Sequence, residues 1–346
     1  MREPAEKFLR RAELFRRGRA GAVECLACAR ACVIPDGARG FCGVRRNSGG
    51  ELFAPWGCTA GIALDPVEKK PFFHALPAAK ALSFGMLGCN LRCAFCQNSG
   101  TSLPGPETAD NFPLSVISPA ELAAQAASGG APLIVSTYNE PLVTCEWAHA
   151  VFTEAKKKGL RTGFVSNGYA SREALDFMRP CLDLYKIDLK GFNEESYRRV
   201  TGGELKKALV ALELVHSMGF WLEVVTLVVP GFNDSPDELG AVASFIAGLS
   251  KNIPWHVTAF YPAHKMSEAE PTPRETVLRA REIGLKKGLN FVYAGNIRGS
   301  GDAENTLCPA CGKLLVERRG FTVVVDTLSR RGTCPSCSAR VPGVWQ

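Results

Sequence analysis

Long hydrophobic runs are missing from this chain of 346 residues. A membrane-spanning helix needs a stretch of about 18 or more apolar residues, and the sequence offers none. The first twenty residues are dense in arginine and glutamate and lack the basic, apolar and small-residue order of a secretory signal. Long-period repeats and low-complexity tracts are also absent. We therefore expect a globular protein of the cytoplasm that does not engage a membrane.

Charge of one sign is only in modest excess. Lysine and arginine together number 41 against 34 aspartate and glutamate residues, which gives a net charge of +7. The basic residues are spread over Arg10–Arg19, Lys156–Lys158 and Lys206–Lys207 and form no single stripe. Binding to nucleic acid is therefore unsupported, and a solvated surface is the simpler interpretation.

Cysteine, by contrast, is abundant, with fourteen residues in the chain. Reducing compartments keep thiols free, so many cysteines without a secretory signal favour metal ligation over a disulfide framework. Eleven of the fourteen fall into three spaced groups. The groups are Cys25, Cys28, Cys32 and Cys42; Cys89, Cys93 and Cys96; and Cys308, Cys311, Cys334 and Cys337. The remaining three, Cys58, Cys145 and Cys181, belong to no spaced group, and we expect them to be buried in the core as small hydrophobic residues.

The middle group has the spacing C-x3-C-x2-C over Cys89, Cys93 and Cys96. Soft thiolates suit an iron–sulfur cluster, and a cubane cluster held by three of them keeps one iron open for another ligand. The apolar run at 81–88 predicts a strand that leads into a loop carrying the three thiols. A zinc knuckle completed by a distant cysteine is the alternative that spacing alone leaves open.

The two outer cysteine groups indicate structural metal sites. Near the C-terminus, two Cys-Pro-x-Cys pairs lie 22 residues apart and flank the strand-like run 320–326, which predicts a zinc ribbon, with an auxiliary cluster as the alternative. The N-terminal group, C-x2-C-x3-C-x9-C, suits zinc or an extra cluster, and the spacing favours zinc slightly.

Between these outer groups, short apolar runs alternate with helical patterns. This alternation predicts right-handed crossovers and a parallel sheet, either in a partial barrel or in a flat doubly wound arrangement. Residues 4–17 predict an amphipathic helix, and residues 51–80 an irregular bridge. Strands are predicted at 81–87, 132–137, 161–166, 182–189, 221–229 and 256–261. Helices are predicted at 119–128, 142–159, 171–178, 194–217, 236–250 and 272–287.

The run Gly88–Asn98 resembles the signature of radical S-adenosylmethionine (SAM) enzymes. Members share an open six-stranded barrel, which implies an α/β fold with a partial (β/α)6 barrel at 81–296. Residues 1–80 would then form an N-terminal helix, a Cys-rich metal module and a bridge, and residues 297–346 a zinc ribbon. The resemblance also implies a 4Fe–4S cluster at Cys89, Cys93 and Cys96, whose open iron binds SAM for reductive cleavage to a 5′-deoxyadenosyl radical.

Polar residues follow the predicted strands, and the resemblance implies that they bind SAM. Glu140 matches the carboxylate that holds the SAM amino group, although Tyr138 and Asn139 replace two glycines of that motif. Asp188 and Lys190 are two residues apart, so both point to one side of a strand. The implied cofactor-binding set is Phe95, Tyr138, Asn139, Glu140, Ser166, Asn167, Asp188, Lys190 and His264. From the residues alone, two alternatives stay open: Glu140 as a charge at a helix N-terminus, and Asn167-Gly168 as an ordinary turn.

The whole pattern, with the run Asp65–Pro71 and the ending Val341–Trp345, is similar to AmmeMemoRadiSam-system radical SAM enzymes, relatives of the pyruvate formate-lyase activating enzymes. The mildly basic surface could steer an acidic electron donor, such as a flavodoxin or ferredoxin, towards the cluster. Three functions stay open: a radical enzyme with an unidentified small-molecule or protein substrate, a glycyl-radical activase, and a binding module without activity. The intact triad, Glu140, Asp188 and Lys190 disfavour the last.

Overall fold

The computed structural model describes residues 8–103, 112–329 and 331–346. The chain divides into two compact units that are not continuous in sequence. The first comprises the chain up to Asp65 together with Lys80–Tyr185 and Lys206–Phe220. The second comprises Pro66–Ala79, Lys186–Leu205 and Trp221–Gln346.

The largest sheet has eight strands, and their order in the sheet is the order in the chain. A doubly wound sheet reverses its strand order at a switch point, whereas this sequence-ordered sheet is of the barrel type. Pairing is parallel across the first three predicted strands and again across the last three strands of the sheet. The eight strands are Gly61–Pro66, Lys80–Gly85, Leu133–Ser136, Arg161–Ser166, Leu184–Asp188, Trp221–Val228, Trp255–Ala259 and Val292–Gly295.

All six predicted strands are confirmed, and they occupy six consecutive positions in the sheet. The two further strands, Gly61–Pro66 and Val292–Gly295, flank them and were not predicted. The interpretation of 51–80 as an irregular bridge was therefore wrong, because this segment also contains the strand Glu51–Pro55. The strand Gly61–Pro66 is largely exposed, including its apolar residues Ile62 and Leu64.

The helices predicted between residues 119 and 287 are found close to their expected bounds, with one exception at 194–217. That segment forms two helices, because Gly202 takes a left-handed φ of 67° and caps the first of them. The helices are Ser99–Ser102, Pro119–Ser128, Cys145–Lys157, Arg172–Met178, Glu194–Thr201, Leu205–Ser217, Pro236–Leu249 and Arg274–Lys286. Short 3-10 turns lie at Arg19–Gly21, Val67–Lys69, Pro141–Thr144 and Gly301–Glu304. Across the described part of the chain, we find no helix with the length and apolar character needed to cross a membrane.

The predicted N-terminal helix at 4–17 is wrong over its described residues, 8–17; residues 4–7 lie outside the description. Two strands replace it, Leu9–Arg11 and Phe15–Arg17. The buried side chains of this segment, Ala12 and Leu14, lie in the bend between the two strands. The partners of these strands lie up to about 45 residues away in the sequence, and such non-local pairing overrides a local helical pattern.

Four smaller antiparallel sheets are found among the described residues. The sheet of Leu9–Arg11, Glu51–Pro55 and Arg46–Ser48 lies in the first unit, as does the sheet of Phe15–Arg17, Val23–Cys25 and Val33–Ile34. Cys58–Thr59 pairs with Ser115–Val116 in the same unit. The second unit ends in a three-stranded sheet of Thr306–Leu307, Leu314–Arg319 and Thr322–Asp326.

Buried aromatic rings support the strand ends of the first unit. Phe84, Phe152, Phe164, Tyr185 and Phe220 form a continuous row with neighbouring ring centroids 5.6–6.2 Å apart. Edge-to-face contacts at this spacing are favourable beyond the area that they bury. Because Phe84 and Phe164 lie near the ends of their strands, the row holds those ends at fixed positions.

Gly284, in the helix Arg274–Lys286 of the second unit, packs closely against Trp255 and Val292. A Cβ on Gly284 would lie 2.8 Å from the Trp255 ring and 2.9 Å from Val292. We expect Gly284→Ala to lower the free energy of unfolding by ~1–3 kcal/mol, because overpacking forces neighbours to move. Chemical denaturation of the variant and the wild type, with matched cofactor and metal contents, would measure this change in the free energy of unfolding.

Gly248→Ala is the matched control, since a Cβ there meets no atom within 4 Å. It should be neutral or stabilise the helix by up to about 1 kcal/mol. Equal stability of the two variants would contradict the packing described here.

Candidate active site

The three cysteines of the middle group lie in the loop between strand Lys80–Gly85 and helix Ser99–Ser102. Two glycines determine how this loop leaves the sheet. A Cβ on Gly85 would lie 2.7 Å from the Thr137 carbonyl oxygen, and one on Gly88, where φ is 93°, would lie 2.7 Å from Val44. Only glycine fits such contacts without a shift of the backbone.

The thiols of this loop are partly sheltered. Cys93 is buried, and Cys89 and Cys96 are half-buried. The Leu91 amide donates to the Cys89 sulfur at 3.4 Å, and the Asn167 side-chain amide lies 3.7 Å from the same sulfur. Amide donors directed at a sulfur stabilise a thiolate and set the potential of a cluster that it ligates. Phe95 is buried between the last two cysteines.

Asn139 fastens the start of the cluster loop. Its side-chain oxygen accepts from the Met86 amide at 2.9 Å. Its side-chain NH2 donates to the carbonyl oxygens of Leu87 and Gly88 at 3.3 and 3.2 Å. The preceding residue, Tyr138, has a φ of 72°, which aims Asn139 back at the loop. A glycine at 139 would lack these contacts, so the departure from a Gly-Gly-Glu motif has a structural explanation.

Glu140 connects the ends of two strands. One carboxylate oxygen accepts from the Ser166 hydroxyl at 2.7 Å and from the Leu142 amide at 3.1 Å. The other oxygen accepts from the Asn167 amide at 2.9 Å. Glu140 is 2% exposed, so these donors replace water around a buried charge.

Asn167 extends this network to the cysteine loop. Its side-chain NH2 donates to the Asn90 side-chain oxygen at 2.7 Å, and its own oxygen accepts from the Tyr169 amide at 3.0 Å. The structure thus brings together Cys89, Asn139, Glu140, Ser166 and Asn167 of the predicted site. Asn90 was not predicted; its only signal is its position next to Cys89 in the motif.

Three predicted site residues, Asp188, Lys190 and His264, belong to the second unit. Lys190 Nζ lies 3.3 Å from a carboxylate oxygen of Asp188, so the two side chains share one side of the chain, as their spacing indicates. Lys186, which the sequence reasoning missed, also pairs with Asp188 and is buried. Burial opposes ionisation of Asp188, but the two ammonium groups lower its pKa below the usual range. His264 is exposed, with a left-handed φ of 51°.

The C-terminal cysteines converge as a metal site would require. The sulfur atoms of Cys308, Cys311, Cys334 and Cys337 all lie within 4.8 Å of one another, with 3.6 Å between Cys308 and Cys337. A tetrahedral zinc with ligands at ~2.3 Å separates its sulfurs by about 3.8 Å. The quartet therefore fits the predicted zinc ribbon.

Within the second unit, the segment Pro66–Ala79 is tied to this ribbon. The Arg318 guanidinium donates to the Phe73 carbonyl oxygen at 2.7 Å, and His74 Nδ1 donates to the Pro342 carbonyl oxygen at the same distance. Burial lowers the pKa of His74 to about 4, so this imidazole is neutral at physiological pH. The motif Asp65–Pro71 thus leads into a structural contact of the ribbon.

The N-terminal quartet lies in the first unit, where Cys25, Cys28 and Cys42 are buried and Cys32 is half-buried. Three residues after Cys42, the fully buried Arg45 pairs with Glu146, and its Nε donates to the Val143 carbonyl oxygen at 2.9 Å. Sequence reasoning missed this pair, because nothing in the local pattern shows that charges 101 residues apart meet.

Asn139→Asp tests the fastening of the cluster loop. The change replaces a donor by a carboxylate oxygen that faces backbone carbonyl oxygens, so we expect a loss of ~1–3 kcal/mol in the free energy of unfolding. We also expect less iron to remain after anaerobic purification. Asn98→Asp, in the same loop and exposed, is the control and should retain both its stability and its iron. Normal stability and iron in Asn139→Asp would contradict the role given to this amide.

Comparison with known proteins agrees with this geometry. The sequence model of the family described as "Radical SAM superfamily" matches residues 85–245. An uncharacterized Methanocaldococcus jannaschii protein, MJ0808, is 36% identical over 92% of this chain and 95% of its own length. Pyruvate formate-lyase 1-activating enzyme of Escherichia coli is 24% identical over 63% of this chain and 93% of its own.

Among solved structures, Streptococcus suis SuiB is similar in fold, with a TM-score of 0.50 at 10% identity. The match covers 67% of this chain and 52% of SuiB. Members of the matched family are enzymes that use a 4Fe–4S cluster and SAM, and the thiol donors of the loop at 89–96 suit such a cluster. The chain belongs to the radical SAM superfamily and is related to the activating enzymes of glycyl-radical enzymes.

Proposed function

We propose that Cys89, Cys93 and Cys96 ligate the 4Fe–4S cluster and that the adjoining strand ends bind SAM. One observation carries this proposal: the Glu140 and Asn167 network, which joins two strand ends to the Cys89 sulfur. When bound, the cluster supplies one electron that cleaves SAM to methionine and a 5′-deoxyadenosyl radical, which abstracts hydrogen from the substrate.

The chain's own residues have separable tasks in this proposal. Asn139 fixes the backbone that carries the thiols, and the Leu91 and Asn167 amides donate to the Cys89 sulfur. Asp188 and Lys190 offer a carboxylate and an ammonium for the ribose and the carboxylate of SAM. Phe95, Tyr138, Ser166 and His264 complete the proposed SAM-binding set.

The terminal modules favour an AmmeMemoRadiSam-type enzyme with an unidentified substrate. The match to MJ0808 extends over 92% of the chain, whereas the match to the E. coli activating enzyme extends over 63%. Two cysteine quartets flank the triad, and we assign zinc to the C-terminal one. We further propose a cytoplasmic location, where thiols stay reduced and a flavodoxin or ferredoxin can deliver the electron.

Cleavage of SAM is the direct test. Anaerobically reconstituted protein under a strong reductant should form 5′-deoxyadenosine, and Cys93→Ala should reduce this to background because the cluster loses a ligand. Liquid chromatography of the quenched reaction measures the product. Cys181→Ala, a buried cysteine outside the three groups, should cleave SAM as the wild type does. Undiminished cleavage by Cys93→Ala would refute the assignment.

A second candidate is a glycyl-radical activase, and the relationship to pyruvate formate-lyase activating enzymes favours it. Such an activase takes hydrogen from a glycine backbone of a protein partner. If it is correct, an α-deuterated glycine in a glycyl-radical enzyme from the same organism should deliver deuterium to 5′-deoxyadenosine and leave a glycyl radical detectable by electron paramagnetic resonance. The absence of any such enzyme from that genome, or unlabelled product, would exclude it.

A further inference from the structure

The four N-terminal cysteines surround a cavity instead of closing on one point. All four, with Arg30, Arg45, Asn90 and Val143, line one pocket in the first unit. Three of the thiols are buried, so the space is sheltered from bulk water. No three of the four sulfurs lie within 4.8 Å of one another, so the thiols are not gathered around a single ion.

The C-terminal quartet provides an internal comparison. Its sulfurs approach as a zinc site requires, with 3.6 and 3.8 Å across two pairs. Of the residues that the structure describes, no other set of three or more potential ligands converges within 4.8 Å. The N-terminal quartet and the triad are both open by this measure. A cubane cluster requires such openness, because each thiolate binds a different iron.

The charges around the cavity suit an anionic cluster. Four thiolates around a cubane leave a net negative charge. The Arg30 guanidinium lines the same space, as does that of Arg45, which is also paired with Glu146. Arg30 also stacks on the Phe41 ring at 3.5 Å and donates to the Asn90 carbonyl oxygen. Both arginines are thus held in place by contacts of their own.

The cavity adjoins the triad loop. Asn90, which lines it, follows Cys89 directly and accepts from the Asn167 amide. Arg92, in the loop that carries the triad, stacks on Phe41 at 4.2 Å and donates to the Phe41 carbonyl oxygen. A Cβ on Gly88 would lie 2.9 Å from the carbonyl oxygen of Cys42. The two cysteine groups therefore share one packed region.

We propose that Cys25, Cys28, Cys32 and Cys42 bind a second iron–sulfur cluster of the cubane type, not the zinc that their spacing slightly favours. All four irons of this cluster are ligated by thiolates. It therefore offers no open position to SAM, which distinguishes it from the cluster at the triad.

The decisive variant keeps the quartet and removes the triad: Cys89→Ala, Cys93→Ala and Cys96→Ala together. After anaerobic reconstitution, we expect about eight irons per chain in the wild type and about four irons with four sulfides in the triple variant. Both should hold about one zinc. The reduced triple variant should give an electron paramagnetic resonance signal that SAM does not change.

Two controls complete the design. Cys25→Ser with Cys28→Ser should keep about four irons and a signal that SAM changes, and Cys334→Ser with Cys337→Ser should lose only the zinc. Iron and sulfide at background in the folded triple variant, or about four irons in wild type together with two zincs, would overturn the proposal. Its failure is distinct from failure of the proposed function, which would appear as equal iron in wild type and triple variant, or as no cleavage of SAM.

Discussion

The buried carboxylate of Glu140 is the interaction on which the geometry of the candidate site depends. A charge that is 2% exposed needs donors in place of water, and three are supplied by Leu142, Ser166 and Asn167. Hydrogen bonds to a charged group contribute ~1.5–3 kcal/mol each. Because these donors follow two neighbouring strands, one carboxylate fixes the turns after both of them before any ligand binds.

Two asparagine side chains connect the Glu140 network to the loop that carries the thiols. The Asn167 backbone amide donates to the Glu140 carboxylate, which fixes this residue. Its side-chain amide then contacts the Asn90 side-chain oxygen and the Cys89 sulfur. Asn139, adjacent to Glu140, holds the backbone of residues 86–88. The thiol loop has no regular secondary structure of its own, so its shape comes from side chains of the next two strand ends. This division fits a site in which the cofactor does the chemistry and the protein sets geometry and potential.

The sequence allowed strong predictions wherever the signal is local. The spacing of the cysteines, the alternation of strands and helices, and the polar residues after each strand are all local, and the six predicted strands and the C-terminal quartet are found. The helix expected at 4–17 failed because both parts of the segment pair with strands outside it. Leu9–Arg11 pairs with the distant strand Glu51–Pro55, and Phe15–Arg17 pairs with Val23–Cys25. Arg45, Glu146 and Asn90 were missed for the same reason, since each acts through a partner that no local pattern indicates. Lys186 was missed although it continues the two-residue spacing of Asp188 and Lys190.

The pair of Arg45 and Glu146 shows how the N-terminal module depends on the same strand ends. Desolvation makes a buried ion pair a weak source of net stability, while removal of one partner costs ~3–5 kcal/mol. The pair therefore acts chiefly to fix position: Arg45 also donates to the Val143 carbonyl oxygen, in the turn Pro141–Thr144 that begins directly after Glu140. Glu146 in turn accepts from the amides of Glu13 and Leu14 at 3.3 Å, which attaches the bend between strands Leu9–Arg11 and Phe15–Arg17 to the same ion pair. Val143 in turn donates its amide to the Glu140 carbonyl oxygen at 3.2 Å, and Arg45 lines the same pocket as the four N-terminal cysteines. The N-terminal module and the turn after Glu140 therefore share one region of buried contacts within the first unit.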